Sequence, residues 1–302
     1  MGMVINRTGS GAGERSSPSR TLIVCADDFG LDEAVNEAVE AAFRDGFLTC
    51  ASLMVGEGAC ADAVARARRL PGLGVGLHVA VTSGRPVLPA GRIPDLVGPD
   101  GRFDGNLARA GIRYFFLPRV RRQLADEIRA QFEAFRATGL PLDHVNVHQH
   151  YHLHPTVASL ILAIGREYGL RAMRVPDEPV DVLRAVAPSE TIRAPLYRFW
   201  IHMLRARLRR AGLVVNDSLL GLHWTGAMTP ERVRALLENL PAGVSELYFH
   251  PSVRRTPVLE SAAPGYQYVA EYEALMNEDN RACLARQSVT LATWSDLAGD
   301  PS

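Results

Sequence analysis

The sequence predicts an α/β fold: a parallel sheet covered by helices. Three observations carry this. Short apolar runs alternate with amphipathic stretches along nearly the whole chain; those stretches have helical spacing and stop at glycines; and the chemically potent polar residues gather at the C-terminal ends of separate apolar runs. A closed βα barrel collects its chemistry at that rim, but an open doubly wound sheet does the same, so alternation alone leaves closure open. No internal repeat has a fixed period.

Thr21–Ala26 reads as the first strand and runs into Asp27-Asp28-Phe29-Gly30. Leu31–Arg44 follows as a helix, with Val35, Ala38, Val39, Ala42 and Phe43 at helical spacing, Asp32 at the N-cap position and Gly46 as the stop. Thr49–Val55 is a second strand with Ala59–Leu70 as its helix, and Gly74–Val79 is a third strand. A Gly/Pro-rich loop covers 83–105, and Val120–Ala137 is helical up to Gly139. His144–His148 is a fourth strand, Thr156–Tyr168 a helix ending at Gly169, and Arg171–Val175 a fifth strand. Val214–Leu222 has strand character, Pro230–Leu240 is a helix, and Glu246–Phe249 is a strand closed by His250. Tyr268–Arg286 reads as one long helix and Val289–Thr293 as the last strand.

With 302 residues, 47% of them hydrophobic, the chain is long enough for one barrel-sized domain. Residues 1–20 are polar and rich in Gly, Ser and Arg, and are expected to form a disordered tail ahead of a domain over 21–302. They lack the apolar core of a secretory signal, and no run approaches the roughly 20 apolar residues that span a bilayer, so a cytoplasmic location is expected. The formal net charge is zero, which gives no case for nucleic acid as a partner. All 33 basic residues are arginine. Without lysine, Schiff-base aldolase, pyridoxal-phosphate and Walker A chemistry are excluded. Cys25, Cys50, Cys60 and Cys283 form no C-x-x-C pair and read as buried free thiols.

Five of the nine histidines fall in His144–His154, alternating along the chain apart from Asn146. In a strand, alternate side chains share a face, so His148 faces inward with Asn146 and His150 while Val145 and Val147 face a helix layer. Asp27 and Asp28 are left without a structural task once Asp32 caps the helix. Two adjacent carboxylates suit two roles: one binds a cation, and its neighbour takes a proton from water. His78, flanked by Gly76 and placed near a strand end, is a further ligand candidate. A neutral His250 could hydrogen-bond locally, whereas an imidazolium there could protonate a leaving amine.

Cys25-Ala26-Asp27-Asp28-Phe29-Gly30, Gly76-Leu77-His78-Val79, His144-Val145-Asn146-Val147-His148-Gln149-His150 and Tyr248-Phe249-His250-Pro251 resemble, in order and spacing, the motifs of the YdjC-like carbohydrate deacetylases. The resemblance covers about residues 20–298. It implies a single-domain, distorted (β/α) barrel of TIM-like type. It also implies one divalent metal (Zn or Mg, with Mn, Fe or Co as alternatives) held by Asp28, His78 and His148, with Asp27 as base and His250 as acid. Asn146, His150, His152 and Arg174 are expected to touch substrate. Asn146 departs from the aspartate that many members carry there. Within the family the chain most resembles the hopanoid-biosynthesis-associated deacetylases (HpnK). That implies removal of an N-acetyl group from an N-acetylglucosaminyl hopanoid lipid. Two other classes stay open: a phosphoesterase or cyclic amidase on the same scaffold, against whose lysine-bridged form the missing lysine weighs, and a non-catalytic membrane-associated metal-binding protein, which would keep the ligands but need not keep Asp27 or His250.

Two segments add a membrane expectation. Ile192–Leu213 holds Phe199 and Trp200 among six arginines, Asn106–Leu124 holds Phe115 and Phe116 among five, and neither contains an acid. Phe115, Phe116, Phe199 and Trp200 are therefore expected at an interface with anionic headgroups, on the inner face of the cytoplasmic membrane.

Overall fold

Side-chain alternation decides which residues face the helices and which face the barrel interior. The computed structural model describes residues 19–192, 196 and 198–299. Its strands are β1 (Arg20–Phe29), β2 (Cys50–Leu53), β3 (Gly74–Val79), β4 (Val145–Val147), β5 (Ser218–Leu220), β6 (Gly243–Phe249) and β7 (Val289–Leu291). On β1, Leu22, Val24 and Ala26 join the large apolar layer under the helices, while Ile23 and Cys25 belong to a separate inner cluster. The same parity holds on β3, where Val75, Leu77 and Val79 face the helices, and on β4, where Val145 and Val147 do. Gly76, His78, His144 and Asn146 are thereby left to the interior.

All strand pairings are parallel, in the order β4-β3-β2-β1-β6-β5, with β7 pairing the start of β1. Two further parallel bridges, Val145–Met173 and Ala172–Val214, continue the wall from β4 toward the chain that enters β5. The fold is thus a single-domain, distorted (β/α) barrel: a laddered half-barrel whose remaining wall is held by isolated bridges. The fifth strand expected at Arg171–Val175 lies in this wall but forms no ladder. The Asn216 side chain accepts from the Val175 N–H and donates to its carbonyl, which takes up the groups a ladder would use.

The inner cluster joins Ile23, Cys25, Cys50 and Ala172 to Trp294, which plugs the barrel below. Trp294 is placed by a short helix, Trp294–Ala298, with a reciprocal capping box between Thr293 and Asp296. Gly76 is required here, because a Cβ at that position would lie 2.5 Å from the His144 ring.

Other boundaries shift for local reasons. Asp32 caps the helix Glu33–Arg44 as expected, accepting from Ala34 N–H. The long helix expected over Tyr268–Arg286 is two, Tyr268–Met276 and Glu278–Arg286. Asn277 takes an extended conformation there and its side chain caps the second. The helix expected from Val120 starts at Pro118, and a separate helix, Leu107–Phe116, precedes it. The first strand starts at Arg20, so the expected tail is shorter by at least that residue, and its residues 1–18 lie outside the described residues.

Candidate metal centre

In a regular strand Asp27 and Asp28 would point to opposite faces. Here the β1–β2 register shifts between Ala26 and Phe29, and Asp28 adopts a left-handed backbone with φ of 63°. This bulge inserts one extra residue and turns both carboxylates toward the same cavity. Asp tolerates such a conformation better than most residues, but it still costs energy, which marks the position as specified rather than incidental.

Asp28 Oδ1, His78 Nε2 and His148 Nδ1 form a triangle. The carboxylate oxygen lies 3.3 Å from each histidine nitrogen, and the two nitrogens are 3.2 Å apart. Asp28 Oδ1 is buried and has no hydrogen-bond partner among the described residues. The tautomer of His78 follows from its other nitrogen: Nδ1 lies 2.6 Å from Asn146 Oδ1, so an N–H there donates and Nε2 keeps its lone pair. Ligands at about 2.0–2.1 Å from a tetrahedral ion lie about 3.3–3.4 Å apart, so the donor set fits a small divalent cation. Burial works against charge on His148, yet Asp28 holds its pKa above the ordinary value. The charge that attracts a proton there also attracts a cation.

Asp27 stands beside the triangle but is engaged from below. Arg174 donates to both its oxygens, at 2.5 and 2.8 Å, and Ser52 Oγ and Asn146 Nδ2 donate to Oδ1 at 3.0 and 2.9 Å. Burial alone would raise the Asp27 pKa. Arg174, with help from His78, holds it well below the usual carboxylate range. Among the described residues only Arg174 donates to Oδ2, which leaves that oxygen a lone pair. The same guanidinium bonds Glu246 at 2.9 and 2.7 Å and packs over the Tyr248 ring. One arginine therefore fixes two buried acids.

The cavity over the triangle has a volume of about 110 Å³ and is walled by His150, Thr225, Tyr248, His250 and Tyr266. His148 and Ala262 also border a larger groove of about 610 Å³ that carries Arg85 and Arg102. The His250 ring packs edge-on against Tyr248 and Tyr266, its Nδ1 lacks a hydrogen-bond partner among the described residues, and its backbone N–H donates to the buried Glu271. After Val147 the alternation of the histidine run ends, because Gln149 and His150 are left-handed, with φ of 56° and 53°. His150 still lines the cavity, and burial with Arg174 nearby pushes its pKa well below the ordinary imidazole value.

Of the residues expected to touch substrate, only His150 borders the cavity. Asn146, His152 and Arg174 are fully buried behind it, so their expected contact is corrected to support. His152 Nε2 meets the Arg174 carbonyl at 3.0 Å, and burial lowers its pKa to about 3. Sequence reading missed Ser52, Glu246, Thr225, Tyr248 and Tyr266. Glu246 and Tyr248 share strand parity with His250, and a lone acid within Val244–Phe249 was the available signal.

A second set of ligand-type atoms lies lower in the barrel, where Cys25, Cys50 and His144 approach within 4.8 Å of one another. Here each polar group is engaged. His144 Nδ1 pairs with Asp143 at 2.8 Å, Nε2 meets Cys25 Sγ at 3.7 Å, and Asp143 also accepts from Ser295 N–H.

Comparison with known proteins covers nearly the whole barrel. The family profile described as "YdjC-like protein" matches residues 21–286. The chain is 32% identical over 309 residues to a carbohydrate deacetylase of Mus musculus, covering 93% of this chain and 96% of that one. It is 28% identical over 277 residues to a carbohydrate deacetylase of Brevibacillus brevis, covering 91% and 99%. A solved protein of Enterococcus faecalis V583, described as a candidate in cellobiose-phosphate cleavage, has the same fold. Its TM-score is 0.73 at 23% identity, with 93% of this chain and 100% of that one covered.

Proposed function

The chain belongs to the YdjC-like family, and on that premise we propose that it is a metal-dependent deacetylase that removes the N-acetyl group from an N-acetylglucosamine-type sugar carried on a hopanoid lipid. The observation that carries the reading is the triangle of Asp28, His78 and His148 with a second carboxylate, Asp27, held beside it by Arg174.

A divalent cation held by Asp28, His78 and His148 would supply Lewis acidity toward the acetyl carbonyl and acidify water. The triangle's edges are nearer to tetrahedral than to octahedral spacing, which supports zinc over magnesium. Asp27 takes the proton of the attacking water at Oδ2, while Arg174, Ser52 and Asn146 fix its plane. The C–N bond of the acetamide breaks, and His250 gives a proton to the departing amine; acetate and a glucosamine-type amine leave. Asn146 supports this division of labour, because an amide accepts from His78 while donating to Asp27. An aspartate there would set a second carboxylate against Asp27.

The hopanoid part of the proposal rests on the motif resemblance and on exposed apolar residues of two helices that pack against residues 151–155. Among the described residues no helix is long and apolar enough to cross a membrane. A peripheral position at the inner face of the cytoplasmic membrane fits that observation and a lipid-borne sugar. The test is incubation of metal-loaded protein with N-acetylglucosaminyl hopanoid and with a short soluble N-acetylglucosaminide, read by mass for loss of one acetyl group. Release from neither sinks the deacetylase reading, and release from the soluble sugar alone sinks the lipid.

A further inference from the structure

Two exposed apolar stripes flank the chain segment that follows ligand candidate His148. In the helix Leu107–Phe116, Ala110 and Tyr114 are buried, while Ile112, Phe115 and Phe116 point outward and are 63%, 49% and 68% exposed. Their i, i+3, i+4 spacing puts them on one face. In the helix Arg198–Arg210, Ile201, Leu204 and Leu208 are buried, while Phe199, Trp200 and Met203 are exposed. Both helices pack against residues 151–155. Phe115 lies edge-on to His154, the Leu107 carbonyl accepts from Tyr151 Oη, and Arg207 donates to the Pro155 carbonyl.

Charge is sorted on these helices. Arg205 and Arg209 pair with Asp177 and Asp217 on the barrel side. Arg207 and Arg210 continue the Phe199–Met203 line at i+8 and i+11, are exposed, and have no acidic partner among the described residues. Beside the other stripe, Arg119 pairs with Asp95, whereas exposed Arg121 and Arg122 have no such partner among the described residues. Apolar side chains and uncompensated arginines thus share the outward face.

We infer that this face docks on an anionic lipid surface and presents the metal centre to a headgroup lying in that surface. The inference rests on the lipid-substrate reading above. An interface takes apolar rings into its acyl boundary and arginines at its phosphates. A second copy of the chain fits less well, since a twofold contact would set arginine-bearing faces against each other.

Full-length protein is sedimented with vesicles of phosphatidylcholine alone and with added phosphatidylglycerol. Binding is expected to favour the anionic vesicles and to weaken with salt. Phe199→Ser/Trp200→Ser, Ile112→Ser/Phe116→Ser and Arg207→Gln/Arg210→Gln should each lower vesicle partition by about tenfold. Deacetylation of a soluble N-acetylglucosaminide should be unchanged in the same variants. Equal binding to both vesicle types, variants that bind like the parent, or a dimer abolished by the serine variants would each overturn the inference. Should the first pair fail to fold, the other two still decide it. Failure of the deacetylase reading would show separately, as absent soluble activity in a parent that still binds vesicles.

Discussion

The upper and lower halves of the barrel interior hold the same kinds of side chain in opposite states. Above, Asp28, His78 and His148 converge on a cavity, and a buried carboxylate oxygen has no donor among the described residues. Below, Cys25, Cys50 and His144 converge above Trp294, with Asp143 and Ser295 completing the bonds. A cluster of ligand-type atoms is a binding site when its lone pairs are unspent and a path leads to solvent. It is a polar core when its partners are already inside. Cys25 joins the halves, since its Sγ lies 3.9 Å from Asp27 Oδ1.

The comparison breaks most sharply on metal content. His78→Ala or Asp28→Asn should abolish stoichiometric divalent metal and reduce deacetylation to background while the barrel remains folded. His144→Asn should keep the metal. Elemental analysis of purified variants checks this, and two metals per chain, or metal lost with His144 and kept without His78, would reverse the assignment of the halves.

Asp27 comes next. Asp27→Asn should retain metal and lose on the order of 10²–10⁴-fold in turnover, the range for a positioned base. Full activity would remove Asp27 from the mechanism. Arg174 tests the layer beneath. Arg174→Met would leave Asp27 and Glu246 buried without their shared cation and should cost about 3–5 kcal/mol. Adding Glu246→Gln should restore part of that in urea unfolding; no rescue would mean the arginine acts by packing alone.

Much of this was legible in the sequence because strand parity is local. His144, Asn146 and His148 fall on one face of β4 whatever surrounds them, and the helix at Glu33–Arg44 announces its own cap. What was hidden depends on pairing. Asp27 and Asp28 share a cavity only because β1 slips against β2, and no property of the dipeptide reports the partner's register. The reach of Arg174 to Asp27, 147 positions earlier in the chain, is likewise a product of barrel closure. At Asn277 the helical pattern of Tyr268–Arg286 continues through a break that only a capping side chain reveals.

The smallest effect is a slope in stability with pH to which the lower half contributes through His144. The His144 pKa is raised to about 10: burial opposes the charge, but Cys25 and the Asp143 carboxylate outweigh it. The folded value lies above the unfolded one of about 6.5, so its contribution is full below that pH and fades as pH rises toward the folded value. Asp143 is lowered by His144 against burial, so its share is present above about pH 4 and is lost in acid. Buried Cys25 and Cys50, both raised mainly by burial, add a fall of the same sign only above about pH 8.5. Between about pH 6.5 and 8 the thiols are silent, but His148, raised by Asp28, adds a fall of the same sign, so the share of His144 is read as the difference between parent and variant and should be no more than about 1.4 kcal/mol per pH unit. His144→Asn should make the slope in that window shallower in denaturant titrations. Parallel curves for parent and variant would show that His144 is neutral in the fold, and the lower cluster would then be held by packing rather than by its ion pair.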